Sequence, residues 1–281
     1  MNATVTDFHY GAVTPIAAYL MAVLGSALGL RCTVRSLRRE QRGRKAGWLF
    51  LGAVSLGCGI WTMHFIAMTG FSVDGAAVEY DTRLTLLSLA VAIAVTALGV
   101  FLVGYRGSTA PVLAAAGVLM GLGVAAMHYL GMAAMRVHGS IHYDATAVAL
   151  SVLIAVAAAT AALWAAATIQ GLWPSLGASL VMGIAVTGMH YTGMASVSVH
   201  LEGAADSTSH SSIGMLSFLL SMIAGPVVVL IVASAIVMFD PALVLGEDGP
   251  STPSRAGTRT TPSPAAPGDR IPEPEGFRPS R

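Results

Sequence analysis

Apolar residues run along this chain in blocks of bilayer-spanning length, at roughly 13–31, 47–70, 84–104, 110–135, 146–168, 174–198 and 213–238. The connections are short, which predicts antiparallel neighbours. Past Pro241 the pattern stops, and "PSTPSRAGTRTTPSPAAPGDRIPEPEGFRPSR" carries eight prolines in 32 residues with Phe277 its only aromatic. Such a stretch has too little apolar surface to fold on itself. The pattern therefore predicts an all-α membrane protein with seven transmembrane helices. A short outer segment spans residues 1–12, the seven-helix domain residues 13–240, and a disordered Pro-rich tail residues 241–281.

Composition agrees. The chain is 55% hydrophobic and only 10% charged, with a mean hydropathy of +0.72, whereas soluble domains carry about 25% charged residues. A net charge of +1 gives no reason to expect a nucleic-acid partner. The first block comes after Asp7 with no basic residue and ends at Arg31 and Cys32 without a small-residue cleavage site, so it reads as an anchor and a poor signal peptide. Seven of the fifteen basic residues fall in "RCTVRSLRREQRGRK" after that block, which places this loop in the cytoplasm. The N-terminus is then outside and the C-terminus cytoplasmic, in a multi-pass protein of a cell membrane with lipid as its constant partner. Outer loops would hold Asp74, Glu79, Asp81, Asp144, Glu202 and Asp206 against Arg83 and Arg136. Cys32 and Cys58 lie at different depths and give no disulfide framework.

One string recurs inside the blocks: "MHFIAM" at 63–68, "MHYLGM" at 127–132 and "MHYTGM" at 189–194. Gly57, Gly121 and Gly183 each stand seven residues before the histidine, and "YDTRLTLLSL" at 80–89 resembles "YDATAVALSV" at 143–152. The third copy has "DSTSHSSIGMLS" where "YD" is expected. The period equals two spans with their loops, which predicts three two-helix repeats about an axis along the membrane normal, with all three strings at one depth near the outer face.

Residues four apart on a helix share a face. His64 with Met68, His128 with Met132, and His190 with Met194 are such pairs; Met63, Met127 and Met189 are turned by about 100°. A histidine within a span usually faces the bundle interior and marks a site. Imidazole beside thioether suits copper, Cu(I) above all. A bland reading makes the histidines interhelical hydrogen bonders and the methionines core filler. His9, His138, His142, His200 and His210 fall in or near outer segments. No Ser-His-Asp set, paired intramembrane carboxylates or phosphate-binding loop is present, so the chain is not read as an enzyme.

The three strings resemble the MHYT domain, a family of bacterial integral-membrane sensor modules, over about residues 8–240. That resemblance implies a copper site near the outer face formed by Met63, His64, Met68, Met127, His128, Met132, Met189, His190 and Met194. It also implies sensing of a diatomic gas (oxygen, carbon monoxide or nitric oxide) or of redox state. Only the third copy spells M-H-Y-T; the first has Phe65 and Ile66, the second Leu130. Many such modules are joined to cyclase, phosphodiesterase or kinase domains. The sequence as it stands leads to the expectation that no output domain lies in cis and that a separate cytoplasmic signalling partner reads the signal. The alternatives are copper transport or buffering, and a metal-free structural scaffold.

Overall fold

The computed structural model describes residues 5–7, 9–37, 44–73, 78–137, 139–169, 171–201 and 212–239. Asp74, His138, Glu202, Asp206, His210 and the Pro-rich tail lie outside the described residues. Seven helices are described: α1 (Val13–Leu37), α2 (Lys45–Met68), α3 (Thr82–Arg106), α4 (Ala110–Ala133), α5 (Ala145–Thr168), α6 (Leu172–Met194) and α7 (Ser212–Met238). Each is long and apolar enough to cross a membrane. Local chemistry sets several of their ends. Asp81 caps α3 by accepting from the backbone N–H groups of Arg83 and Leu84, and Asp144 caps α5 by accepting from Ala147. Gly107 and Gly171 take positive φ, at 88° and 89°, in the turns that lead into α4 and α6.

Helices α1 to α6 pack in sequence order around a ring that α1 closes against α6, while α7 lies outside it against α2 and α1. Lipid offers no hydrophobic drive for helices to associate, so close backbone approach at small residues takes that role. A Cβ on Gly25 would lie 2.6 Å from the Cα of Gly59, joining α1 to α2. The glycines seven residues before each histidine make one equivalent contact. Gly57 meets Ile93 of α3, Gly121 meets Val156 of α5, and Gly183 meets Val23 and Tyr19 of α1. In the third of these contacts α1 stands where sequence order alone would put α7.

Short strands repeat the same rotation: β1 (Val5–Thr6) pairs with β2 (Ser72–Val73), β3 (Glu79–Tyr80) with β4 (Met135–Arg136), and β5 (Gly139–Tyr143) with β6 (Val197–Leu201), all antiparallel. In each pair one strand precedes an odd-numbered helix and the other comes after the next even-numbered helix. Backbone bonds next to the pairs match: His9 N–H donates to Gly70, Asp81 to Ala134 and Asp144 to Ser196. Those acceptors each lie six residues after a motif histidine. The spatial repeats are thus α1–α2, α3–α4 and α5–α6, three two-helix units whose even helices all end at the strand-bearing end. The absence of "YD" before α7 is accounted for, since α7 stands outside the ring. The expected sixth span reached residue 198, but α6 ends at Met194; beyond it Val197 and Val199 alternate with Ser198 and His200, the period of a half-buried strand.

Arg136 pairs with Asp81 at the strand end, joining β4 to the start of α3. The cap bond from Leu84 and the guanidinium of Arg136 hold the Asp81 carboxyl below the usual carboxylate range. A depressed folded-state value contributes stability that is present above the unfolded carboxylate value, about pH 3.9, and is lost as pH falls through the folded value. Thermal melting of Asp81→Asn, which keeps a capping oxygen, is therefore expected to fall less steeply than wild type below about pH 4. Equal slopes for the two proteins would remove this pair from the acid response.

Candidate metal centre

Each motif histidine lies near the strand-bearing end of its helix, four residues before Met68 in α2, Met132 in α4 and Met194 in α6. The axial face of each helix can be traced by steps of four. Leu56, Met120 and Met182 are succeeded by Ile60, Val124 and Val186, and then by His64, His128 and His190; all nine are buried. With apolar layers beneath and the ring closed around them, the three imidazoles meet on the axis at 1% exposure each.

Their arrangement is tight. His64 Nδ1 lies 3.0 Å from His190 Nδ1 and 3.2 Å from His128 Nδ1. Ring centroids are 5.0 to 5.1 Å apart, and the rings are close to mutually perpendicular, at 76° to 89°. One ligand nitrogen from each ring lies within 4.8 Å of the other two. A neutral imidazole carries a single N–H. One proton or one lone pair on His64 Nδ1 must then serve two partners at once, whereas a single cation on the axis meets three lone pairs directly. Two nitrogens bound tetrahedrally to one ion at about 2.0 Å lie about 3.3 Å apart, close to the spacing found here.

With Nδ1 turned inward, Nε2 points away from the axis. Nε2 of His64 and of His128 are both buried without a hydrogen-bond partner. Each sits against the next motif helix at the residue three after that helix's own histidine. A Cβ built on Gly131 would fall 2.4 Å from His64 Nε2, and one on Gly193 would fall 2.4 Å from His128 Nε2. The equivalent residue of the first copy is Ala67. Two of the three rings are thus fitted against backbone bared by glycine. Both glycines stand inside the repeated six-letter strings, and sequence reasoning passed over them because nothing local says which ring reaches them.

The methionines divide into two layers. Met63, Met127 and Met189 belong to the main core cluster together with Ile60, Val124 and Val186. Met68, Met132 and Met194 belong to a separate cluster at the strand end, with Phe71, Val73 and Met135. All six are buried.

The residue after each histidine, Phe65, Tyr129 or Tyr191, stands edge-on to that histidine at 4.7 to 5.0 Å. Tyr129 also shares a hydrogen bond of 2.7 Å with Ser151 of α5, and Trp61 Nε1 donates to Ser88 of α3 at 2.9 Å. Ser88 and Ser151 each come seven residues after a capping aspartate, so these side-chain bonds fix motif helix to outer helix at corresponding points. Cys32 and Cys58 are both buried, and neither is in a disulfide.

Residues 57–116 and 121–179 each match the MHYT repeat, described as a bacterial signalling protein N-terminal repeat. The matched segments open on Gly57 and Gly121, the glycines at the motif-to-outer helix contact. The chain is similar to the bifunctional diguanylate cyclase/cyclic di-GMP phosphodiesterase MucR of Pseudomonas aeruginosa, at 42% identity over 192 residues, 66% of this chain and 28% of that protein. It is similar to the cyclic di-GMP phosphodiesterase NbdA of the same organism at 43% identity over 157 residues, 53% of this chain and 20% of the other. The signalling protein YkoW of Bacillus subtilis is 30% identical over 162 residues, 55% of this chain and 20% of the relative. The chain thus spans between a fifth and three-tenths of the length of these relatives. No solved structure matches it.

Proposed function

The chain belongs to the MHYT family of bacterial signalling proteins, and we propose that its seven-helix membrane domain is a sensor that holds copper on His64, His128 and His190. The observation that carries this reading is the convergence of three imidazole nitrogens, one from each repeat, on one buried axis. Among the described residues no carboxylate is buried. A divalent ion would bring two uncompensated charges into a low-dielectric site, so the donor set favours a soft monovalent ion, Cu(I). Copper bound there supplies a redox-active centre with affinity for a diatomic gas such as oxygen, carbon monoxide or nitric oxide. His64, His128 and His190 are the ligands, and the methionine layers, Met68, Met132 and Met194 toward the strands and Met63, Met127 and Met189 beneath, keep water away and offer thioethers.

Arg35 in the last turn of α1 and Arg44 and Lys45 at the start of α2 lie at the end opposite the strands, so the positive-inside tendency puts the histidines in the outer leaflet. Each ring rides on its own helix. A change in how closely the rings gather is then a change in how α2, α4 and α6 pack, and it is felt at the cytoplasmic end. Relatives named for cyclic di-GMP synthesis and breakdown suggest the kind of signalling partner that reads it.

A second reading, copper transit, draws on the axis below the histidines. A cavity of about 20 Å³ lies there among Ile60, Met120, Val124, Met182, Val186 and Met189. Another of about 30 Å³ lies beyond it, also touching Leu56, Met120 and Met182. Both are narrow and apolar. Anaerobic loading of the purified chain with Cu(I), metal analysis and infrared spectroscopy under carbon monoxide test the sensor directly. The expected result is about one copper per chain and a copper-carbonyl band. A folded chain that takes up no copper leaves the scaffold reading, and copper accumulation by chain-bearing vesicles would favour transit.

A further inference from the structure

Strands β5 and β6 carry two histidines that the buried centre does not use. The register pairs His142 with Ser198 and Ser140 with His200. Directly opposed residues share a face and residues two apart on one strand share it too, so His142, His200, Ser140 and Ser198 form one face of the ribbon. Ile141, Val199, Tyr143 and Val197 form the other. Val199 is buried in the cluster of Met132 and Met194, and Ile141 and Val197 pack against it. That burial fixes the register, since a slip of one residue would turn the histidines inward. The two imidazoles stand with centroids 5.0 Å apart at 75°, His142 exposed and His200 half-buried. In the buried trio a centroid spacing of 5.0 Å and 76° accompanies Nδ1 atoms 3.0 Å apart.

We infer that His142 and His200 form a second, solvent-facing metal site that chelates a divalent transition ion between two imidazoles from adjacent strands. Imidazole pairs suit Cu(II), Ni(II) and Zn(II), with Cu(II) held most tightly. Water completes the coordination, so the site exchanges its ion readily. It sits on the ribbon that covers the methionine layer, at the same end of the bundle as the three buried histidines. It does not depend on those histidines holding metal.

The test is Cu(II) titration of the full chain in nanodiscs, prepared without a histidine tag and read by electron paramagnetic resonance. The expected result is a copper signal with superhyperfine structure from two imidazole nitrogens. Its affinity should drop at least about tenfold in His142→Asn and in His200→Asn. His64→Ala should keep this signal, and His9→Asn serves as a surface control. Gel filtration and circular dichroism confirm that each variant remains folded. Binding that is unchanged in both strand variants overturns the site, as does a signal that disappears with His64→Ala alone.

Discussion

Replacing His64 by alanine is expected to abolish Cu(I) binding at the buried centre of the purified chain. His64 touches both other rings, at 3.0 and 3.2 Å, and it is the one whose Nδ1 is shared between them. Its removal leaves two ligands separated by an apolar void, in a layer with no other imidazole. His128→Ala and His190→Ala are expected to do the same, because each removes a third of the nitrogen donors. Stability gives an independent readout. An ion that binds only the folded chain, at a hundred times its dissociation constant, adds about 2.7 kcal/mol. Cu(I) should therefore raise the melting temperature of wild type and leave that of His64→Ala unmoved. A variant that retains copper in full, with the same rise in melting temperature, would place the ion elsewhere.

Gly131→Ala is the second large effect expected, and it touches no ligand. The added methyl would lie 2.4 Å from His64 Nε2 and 3.0 Å from its Cδ2, distances at which the ring must move. His64 is confined on its other sides by Phe65 and by the two partner rings, so displacement breaks the Nδ1 convergence. Copper affinity should fall by about 10- to 100-fold, the range seen when the support of a metal-bound histidine is disturbed. Gly193→Ala acts in the same way on His128. Ala67→Gly, at the corresponding place in the first repeat, should leave affinity within about threefold of wild type, because no ring is pushed. Copper titration in competition with a chromophoric Cu(I) chelator distinguishes the three. Equal affinities for Gly131→Ala and wild type would mean that His64 takes no part in holding the ion.

Much of this architecture was legible in the residues. Runs of apolar side chains located all seven helices, because a bilayer imposes one length on every span. The threefold string announced equivalent positions at equal depth, and the imidazoles do gather. Three features escaped. Glu79–Tyr80 and Met135–Arg136 escaped because two residues show no period of their own, and Val197–Leu201 escaped because its alternation begins inside the expected sixth span. The exchange of α1 for α7 escaped because sequence order suggests that α6 pairs with the next helix along the chain, whereas α6 packs against α1, with Gly183 on Val23 and Tyr19. The division of the methionines into two layers escaped because helical spacing fixes which residues share a face, not which neighbours they meet. Asp81 and Asp144, visible as repeated "YD", became informative only once their backbone N–H groups were seen to bond Ala134 and Ser196.

The closure of the ring by its first helix has a consequence for biogenesis. As the ribosome delivers the helices in order, α1 enters the membrane first, yet its contact with α6 must wait until five more spans have been inserted. Until then His64 and His128 are already embedded while His190 is still unmade, and the crevice meant for the last ring stays open to lipid. A nascent chain stalled before α6 is thus a half-built bundle in which His64 and His128 can meet each other but lack the third ring.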